Sequence, residues 1–200
     1  MLRNGSGEVE KLKQGRPRSE KVHKAILETA LRQAFAMGFR AVSIESIAAE
    51  AGVGKPTIYR RWPNKAAVVM DAFLVQVEPG TVFPAKERAI DSLRLQMLSQ
   101  VKAFRGKFGR LIKALLGEAQ FDPEMAEAFR ERWIMPRRRK LRTVIEEAMR
   151  RGDFRKDIDP ELAMDMLYAP IYYRLQIGSG PLSESFVNGL LEQARKGLEP

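Results

Sequence analysis

Gly52 and Pro63 restrict this chain more than any other pair of residues. Glycine after an apolar-periodic segment stops a helix, and proline cannot continue one, lacking an N–H and crowding the turn before it. The ten residues between them, VGKPTIYRRW, have room for one short helix. Just upstream, VSIESIAAEAG specifies another of about two turns. Ser43 stands at its N-cap, Val42 can staple against Ile47, and Ile44, Ile47 and Ala48 face inward. Two short helices joined through Gly52 and Val53 make a helix-turn-helix.

The second helix starts near Gly54, tolerates Pro56 in its first turn and runs to Trp62. Ile58 and Trp62, four residues apart, share its buried face. Lys55, Pro56, Thr57, Tyr59, Arg60 and Arg61 are left pointing outward. From Val53 to Lys65 the chain carries four cations and no acid. A helix so placed enters the major groove of DNA with its first turn toward base edges. Its arginines offer bidentate donors to guanine or phosphate, Thr57 and Tyr59 offer hydroxyls, and Pro56 can touch a thymine methyl. Basic runs alone are usually solvated faces; the helix-turn-helix around this one turns the reading toward DNA. Arg16 and Arg18, in GRPRS ahead of the first helix, can reach a minor groove.

Total charge does not locate the site. The net charge is +10, yet residues 1–80 and 81–200 each carry +5 (13 basic against 8 acidic, then 22 against 17). There is no cysteine, hence no disulfide, zinc–thiolate site or thiol nucleophile, as expected of a reducing cytoplasm. The single histidine, His23, lies beside the basic arm, where a satisfied or exposed imidazole, or a phosphate neighbour, is expected and not a general base. No phosphate loop, metal-ligand cluster or Ser/His/Asp set is present, so no enzyme, metal or cofactor is expected. No stretch reaches the length of an apolar membrane span, and none resembles a signal peptide.

The chain reads as all-α. Residues 1–16 are expected to be a flexible basic arm. A helix follows from a Ser19 cap to Met37, with Ile26, Ala30 and Ala34 among its apolar positions and Gly38 as its stop. Asn64 caps a fourth helix that runs to Pro79–Gly80.

The stretch AILETALRQAFAMGFRAVSIESIAAEAGVGKPTIYRRWPNKAAVVMDAF resembles the DNA-binding domain of the tetracycline-repressor (TetR/AcrR) family of bacterial regulators. The likeness lies in the GF-x-A-V-S-I run, the T-I-Y-x-x-W helix and the P-N-K entry to the fourth helix. It implies recognition-helix contacts from Lys55, Thr57, Tyr59 and Arg61, sequence reading by Pro56 and Arg60, and phosphate binding by Ser43 and Lys65. Gly54 stands where many members have serine, so a capping hydroxyl is missing there.

Residues 17–80 are thus expected to form the DNA-binding domain, and 81–200 a helical ligand-binding and dimerisation domain. Helices are expected over about 85–105, 108–120, 123–151, 160–177 and 183–196, with Asp122 and Asp159 as caps and Pro136 kinking or breaking the third. Arg137–Lys140 is expected to be a wet face. ELAMDMLYAPIYYRLQIG is apolar almost all round, so its helix must be buried on every side. With the last helix it is expected to form a two-fold interface through Leu162, Met166, Tyr173, Phe186, Leu190 and Ala194, as the resemblance also implies. Phe104, Phe108, Trp133, Met135, Met166 and Tyr172 are the candidate lining of a pocket for a small apolar, neutral or anionic ligand. The expected function is a cytoplasmic, homodimeric repressor released from a near-palindromic operator by that ligand. An architectural DNA binder without a cavity is the alternative.

Overall fold

A computed structural model describes residues 12–77, 83–84 and 86–200, with side chains from Ser19 onward. The described residues contain helices and no strand, and divide into two compact units between Ala72 and Phe73. That division falls inside a helix, upstream of the expected boundary at residue 80. No helix among the described residues is long and apolar enough to cross a membrane.

The first unit holds α1 (Leu12–Met37), α2 (Ile44–Glu50), α3 (Lys55–Tyr59) and the start of α4 (Lys65–Val77). α1 begins at Leu12, well before the expected Ser19 cap, so the helix extends into the segment read as an arm. It ends at Gly38, whose φ of +80° suits a residue without a Cβ. Ser43 caps α2 through a capping box: its hydroxyl accepts the Ser46 N–H, and the Ser46 hydroxyl accepts the Ser43 N–H. The turn into α3 is a Schellman motif about Gly52 at φ +66°. The Val53 N–H reaches Ala48 O at 3.0 Å, and the Gly52 N–H reaches Ala49 O at 3.3 Å. Gly54 caps α3 with no side-chain bond, as its lack of a hydroxyl implies.

α3 stops at Tyr59, short of the expected Trp62. The Arg61 and Trp62 N–H groups both turn onto Ile58 O, because Trp62 precedes a proline and is pushed out of helical backbone. Asn64 Oδ1 then accepts the Ala67 N–H at 2.9 Å and starts α4. Ile26, Ala30, Ile47, Ile58, Trp62 and Val68 are buried together in this unit's core.

The second unit comprises the end of α4, then α5 (Ala89–Phe104), α6 (Lys107–Glu118), α7 (Pro123–Phe129), α8 (Met135–Arg151), α9 (Pro160–Ile177) and α10 (Glu184–Leu198). α5 packs on α6 and α10, and α9 on α8 and α10. Leu93, Met97, Ile112, Leu115, Ile145, Leu167 and Val187 are among the residues sealed inside. Asp122 and Asp159 cap α7 and α9 as read from the sequence. α6 turns back on α5 so tightly that a Cβ on Gly109 would lie 1.7 Å from Phe104 O.

Pro136 neither breaks the long helix nor simply kinks it. Between α7 and α8 the chain forms a π-helical turn, Arg130–Ile134, in which the Met135 N–H reaches back to Arg130 O. The wider turn absorbs the hydrogen bond that proline cannot donate, as π-bulges do.

Candidate DNA interface and ligand cavity

In the first unit, Ile58 and Trp62 are fully buried and anchor α3, while Lys55, Pro56, Tyr59, Arg60 and Arg61 are exposed and Thr57 is half-buried. Tyr59 is 51% exposed, unusual for an aromatic with no packing duty. The anchoring is more elaborate than apolar spacing implies. Trp62 Nε1 donates to Asp71 Oδ2 on α4 at 2.7 Å, and His23 on α1 stacks on the Trp62 ring at 5.0 Å and 15°. His23 Nδ1 is buried without a hydrogen-bond partner, so this histidine is a stacking plate and neither satisfied nor freely exposed as expected.

The cations differ in what they already hold. Lys55 Nζ pairs with Glu45 Oε1 at 3.0 Å. The hydrogen bond from Lys55 holds the Glu45 carboxyl below its ordinary range and reciprocally raises the Lys55 ammonium. Arg61 donates to the Ser19 hydroxyl, and to Ser19 O at 3.4 Å, near the described start of the α1 side chains. Lys65 Nζ reaches the carbonyls of Phe39, Arg40 and Val42 at 3.4, 3.2 and 3.1 Å and lies 4.5 Å from the centre of the Phe39 ring. It clamps the α1–α2 loop, a role that the phosphate assignment did not include. Ser43 Oγ is engaged as a cap acceptor, which leaves its proton to donate. The side chains of Arg16 and Arg18 lie outside the described residues.

One residue that sequence reasoning missed is Gln33. Buried in α1, it donates to Ser46 O at 3.2 Å and Glu50 Oε2 at 2.5 Å, and accepts from the Ser46 hydroxyl at 2.8 Å. It fixes α2 against α1. A glutamine inside an apolar helix stripe was the available signal, since a buried amide must find partners.

The second unit has a partly open cavity of about 310 Å³ between α5, α8 and α9, lined by Phe83, Gln96, Gln100, Ile134, Arg137, Arg138, Leu141, Met164, Asp165, Tyr168, Ala169 and Tyr172. Of the six residues expected to line a pocket, Tyr172 lies on the wall of this cavity and the other five do not. Phe104 and Trp133 belong to a buried aromatic cluster with Phe73 and Phe129, and Phe108 meets Phe73 edge-on. Met135 is half-buried away from the cavity wall, and Met166 is 52% exposed on the far side of α9, one helical face away from Met164. Periodicity marked these residues as apolar but not which side of the helix met the void.

Arg137 and Arg138 also depart from the expected wet face, although Arg139 and Lys140 keep to it. The Arg137 guanidinium lies 3.4 Å from the centre of the Trp133 ring and donates to Trp133 O at 2.9 Å. Arg138 bridges Glu161 and Asp165. These pairings raise the Arg138 guanidinium further, through Asp165 first and Glu161 second.

α9 is not buried on every side. At roughly 100° per residue, Ala163, Met164, Leu167, Ile171 and Leu175 face the core, Tyr168 and Tyr172 face the cavity, and Leu162, Met166, Tyr173 and Ile177 form an exposed apolar stripe. Those four are 52–66% exposed. Leu162, Met166 and Tyr173 therefore suit the expected interface. Phe186 lies under the Arg174 guanidinium at 3.7 Å, Leu190 is half-buried, and Ala194 is buried in the core of its own chain, so Ala194 has no surface to offer a partner.

Comparison with known proteins agrees with this geometry. Residues 26–72 match the profile described as bacterial regulatory proteins, tetR family, and residues 88–194 match the tetracyclin repressor-like C-terminal domain. The chain is 36% identical to the HTH-type transcriptional regulator YdeS of Bacillus subtilis over 94% of both chains. It is 28% identical to the DNA-binding transcriptional repressor TetR of Mycobacteroides abscessus over 88% of this chain and 92% of that one. A crystal structure of the TetR family transcription regulator SCO0332 superposes with a TM-score of 0.76 at 28% identity, covering 90% of this chain and all of the other.

Proposed function

Because the chain belongs to the tetR family of bacterial regulatory proteins, and is accordingly a DNA-binding transcriptional regulator, we propose that α3 reads an operator which a small molecule makes the protein release. The observation that carries this reading is the outer face of α3. Lys55, Pro56, Tyr59, Arg60 and Arg61 are exposed over an anchor of Ile58 and Trp62, and no acid lies between Val53 and Lys65. Thr57 and Ser43 add hydroxyl donors at the N-terminal ends of α3 and α2. Arg16 and Arg18, whose side chains lie outside the described residues, are the proposed minor-groove contacts. Lys65 contributes by holding the α1–α2 loop beneath this face.

The protein acts as a homodimer in the cytoplasm, as a repressor and not as an enzyme. The exposed α9 stripe of Leu162, Met166 and Tyr173, continued by Phe186 and Leu190, supports the pairing. A dimer presents two copies of α3 to half-sites about one helical turn of DNA apart, on a near-palindrome. We assign residues 17–80 to DNA binding and 81–200 to ligand binding and assembly. α4 connects the two roles as one continuous helix: it starts at the Lys65 clamp and carries Phe73, whose ring lies 5.1 Å from that of Trp133. The cavity favours this reading over an architectural binder, which has no use for one.

Selection of bound sequences from a random DNA pool should return a near-palindromic site. Tyr59→Ala, and separately Arg60→Ala, should weaken binding to that site by about 1–3 kcal/mol at fixed salt. Recovery of no preferred sequence, or unchanged affinity in both variants, refutes the assignment.

A further inference from the structure

Arg61 is held differently from Lys55 and Arg60, and the hold comes from another helix. Its Nη2 donates to the Ser19 hydroxyl and, at 3.4 Å, to Ser19 O. Ser19 lies on α1, and His23, one turn further along that helix, stacks on the neighbouring Trp62 at 5.0 Å. Trp62 is 1% exposed and is also tied to Asp71 through Nε1. The Arg61 and Trp62 N–H groups both end on Ile58 O. One turn of α1 therefore steadies the backbone at residues 61–62 and also the guanidinium that projects from it.

Which nitrogen is held decides what the side chain can still recognise. A guanidinium has two bidentate edges, Nη1 with Nη2 and Nε with Nη2, so Nη2 belongs to both. In Arg61 that shared nitrogen is turned onto Ser19. Nε and Nη1 have no partner among the described residues, but they share no edge, so each gives a single bond. Guanine presents N7 and O6 side by side and needs a whole edge, whereas a phosphate oxygen accepts from one N–H. Both acceptors on Ser19 are neutral, so the guanidinium keeps its full charge. Lys55, by contrast, is matched by Glu45. Arg60 is exposed, and its side chain has no partner among the described residues, so both of its edges are whole.

We propose that Ser19 is a positioning residue of the DNA interface: it presents Arg61 to a backbone phosphate through Nε and Nη1 and withholds it from bidentate pairing with guanine, which is left to Arg60. A loose arginine gives up rotamer freedom when it binds, and one already held by Ser19 has given it up in advance. The contact thus adds affinity for DNA of any sequence. The inference rests on the reading of α3 as the recognition element.

The probes are the duplex selected from a random pool and a scrambled duplex of the same length and composition. Each is bound to the full-length protein at several salt concentrations. Arg61→Ala should weaken binding to both duplexes alike, by about 10-fold, and lower the slope of log affinity against log salt by about one for each protomer bound. Ser19→Ala should weaken both by about 2- to 5-fold, and Ser19→Thr, which keeps the hydroxyl, should stay within about 2-fold of the wild type. Alanine is the better helix former, so α1 survives the change. Added to Arg61→Ala, Ser19→Ala should cause no further loss. If Arg61→Ala costs over about 10-fold more on the selected duplex than on the scrambled one, and relaxes the preference at one base pair, Arg61 is a base reader and the proposal falls. It falls equally if Ser19→Ala has no effect, or the same effect with Arg61 absent. A selection that returns no preferred duplex refutes the operator reading instead, and the coupling of Ser19 to Arg61 is then still measured on the scrambled duplex.

Discussion

Replacing Lys65 with methionine separates a structural clamp from a phosphate contact. Methionine keeps most of the apolar stem over Phe39 and removes only the ammonium. What is lost is three hydrogen bonds to the carbonyls of Phe39, Arg40 and Val42, at 3.1–3.4 Å, and a cation 4.5 Å from the Phe39 ring. A hydrogen bond from a charged donor is worth about 1.5–3 kcal/mol when its partner stays dry, but these carbonyls lie on a loop where water can replace Lys65. The three together are then worth about 1–2 kcal/mol, and the cation–π contact adds about 0.5 kcal/mol. A loss near 2 kcal/mol in a unit of this size should lower its melting temperature by about 8–16 °C. Hydrogen exchange should show faster opening of the amides from Phe39 to Ala51, because α2 is seated by that loop. Operator affinity should fall while the slope of log affinity against log salt stays the same, since no phosphate partner has been removed. A phosphate contact predicts the opposite: unchanged stability and exchange, with the slope reduced by about one. That result would refute the clamp.

Other outcomes follow from the same geometry. Met166→Glu places a charge on the exposed stripe of α9, where the side chain is 52% exposed, so it should convert the dimer to monomer in sedimentation with helical content unchanged. Gly109→Ala should destabilise the second unit by about 1–3 kcal/mol in urea unfolding, because the added methyl meets the Phe104 backbone and not a side chain that can move. Glu45→Gln releases Lys55 and removes a negative charge beside α3, so operator affinity should rise a few-fold in low salt. The Glu45 carboxyl is held low by Lys55, so its contribution to stability is present above the ordinary carboxylate range. It is lost as pH falls through the depressed value, and the wild-type and Glu45→Gln proteins should converge in stability in acid.

The sequence by itself determined the caps and glycine stops of several helices, though not the start of α1 or the end of α3, and which face of α3 is turned outward. Ser43, Asn64, Asp122 and Asp159 act within three residues of themselves, and Gly38 and Gly52 act through their own backbone angles. Ile58 and Trp62 are neighbours on one helix face by spacing alone. Signals of that range survive in a linear reading because the partner is never more than a turn away. Only the tertiary structure decided what the long side chains do. Lys65 finds carbonyls 23 to 26 residues upstream, Trp133 finds Tyr172 39 residues on, and Arg138 leaves the expected wet face for Glu161 and Asp165. α9 shows the reason most plainly. Apolar on all sides, it carries no periodic bias to say which sector meets core, cavity or solvent, and that choice is made by α6, α8 and α10, which pack against it, and by α5 across the cavity.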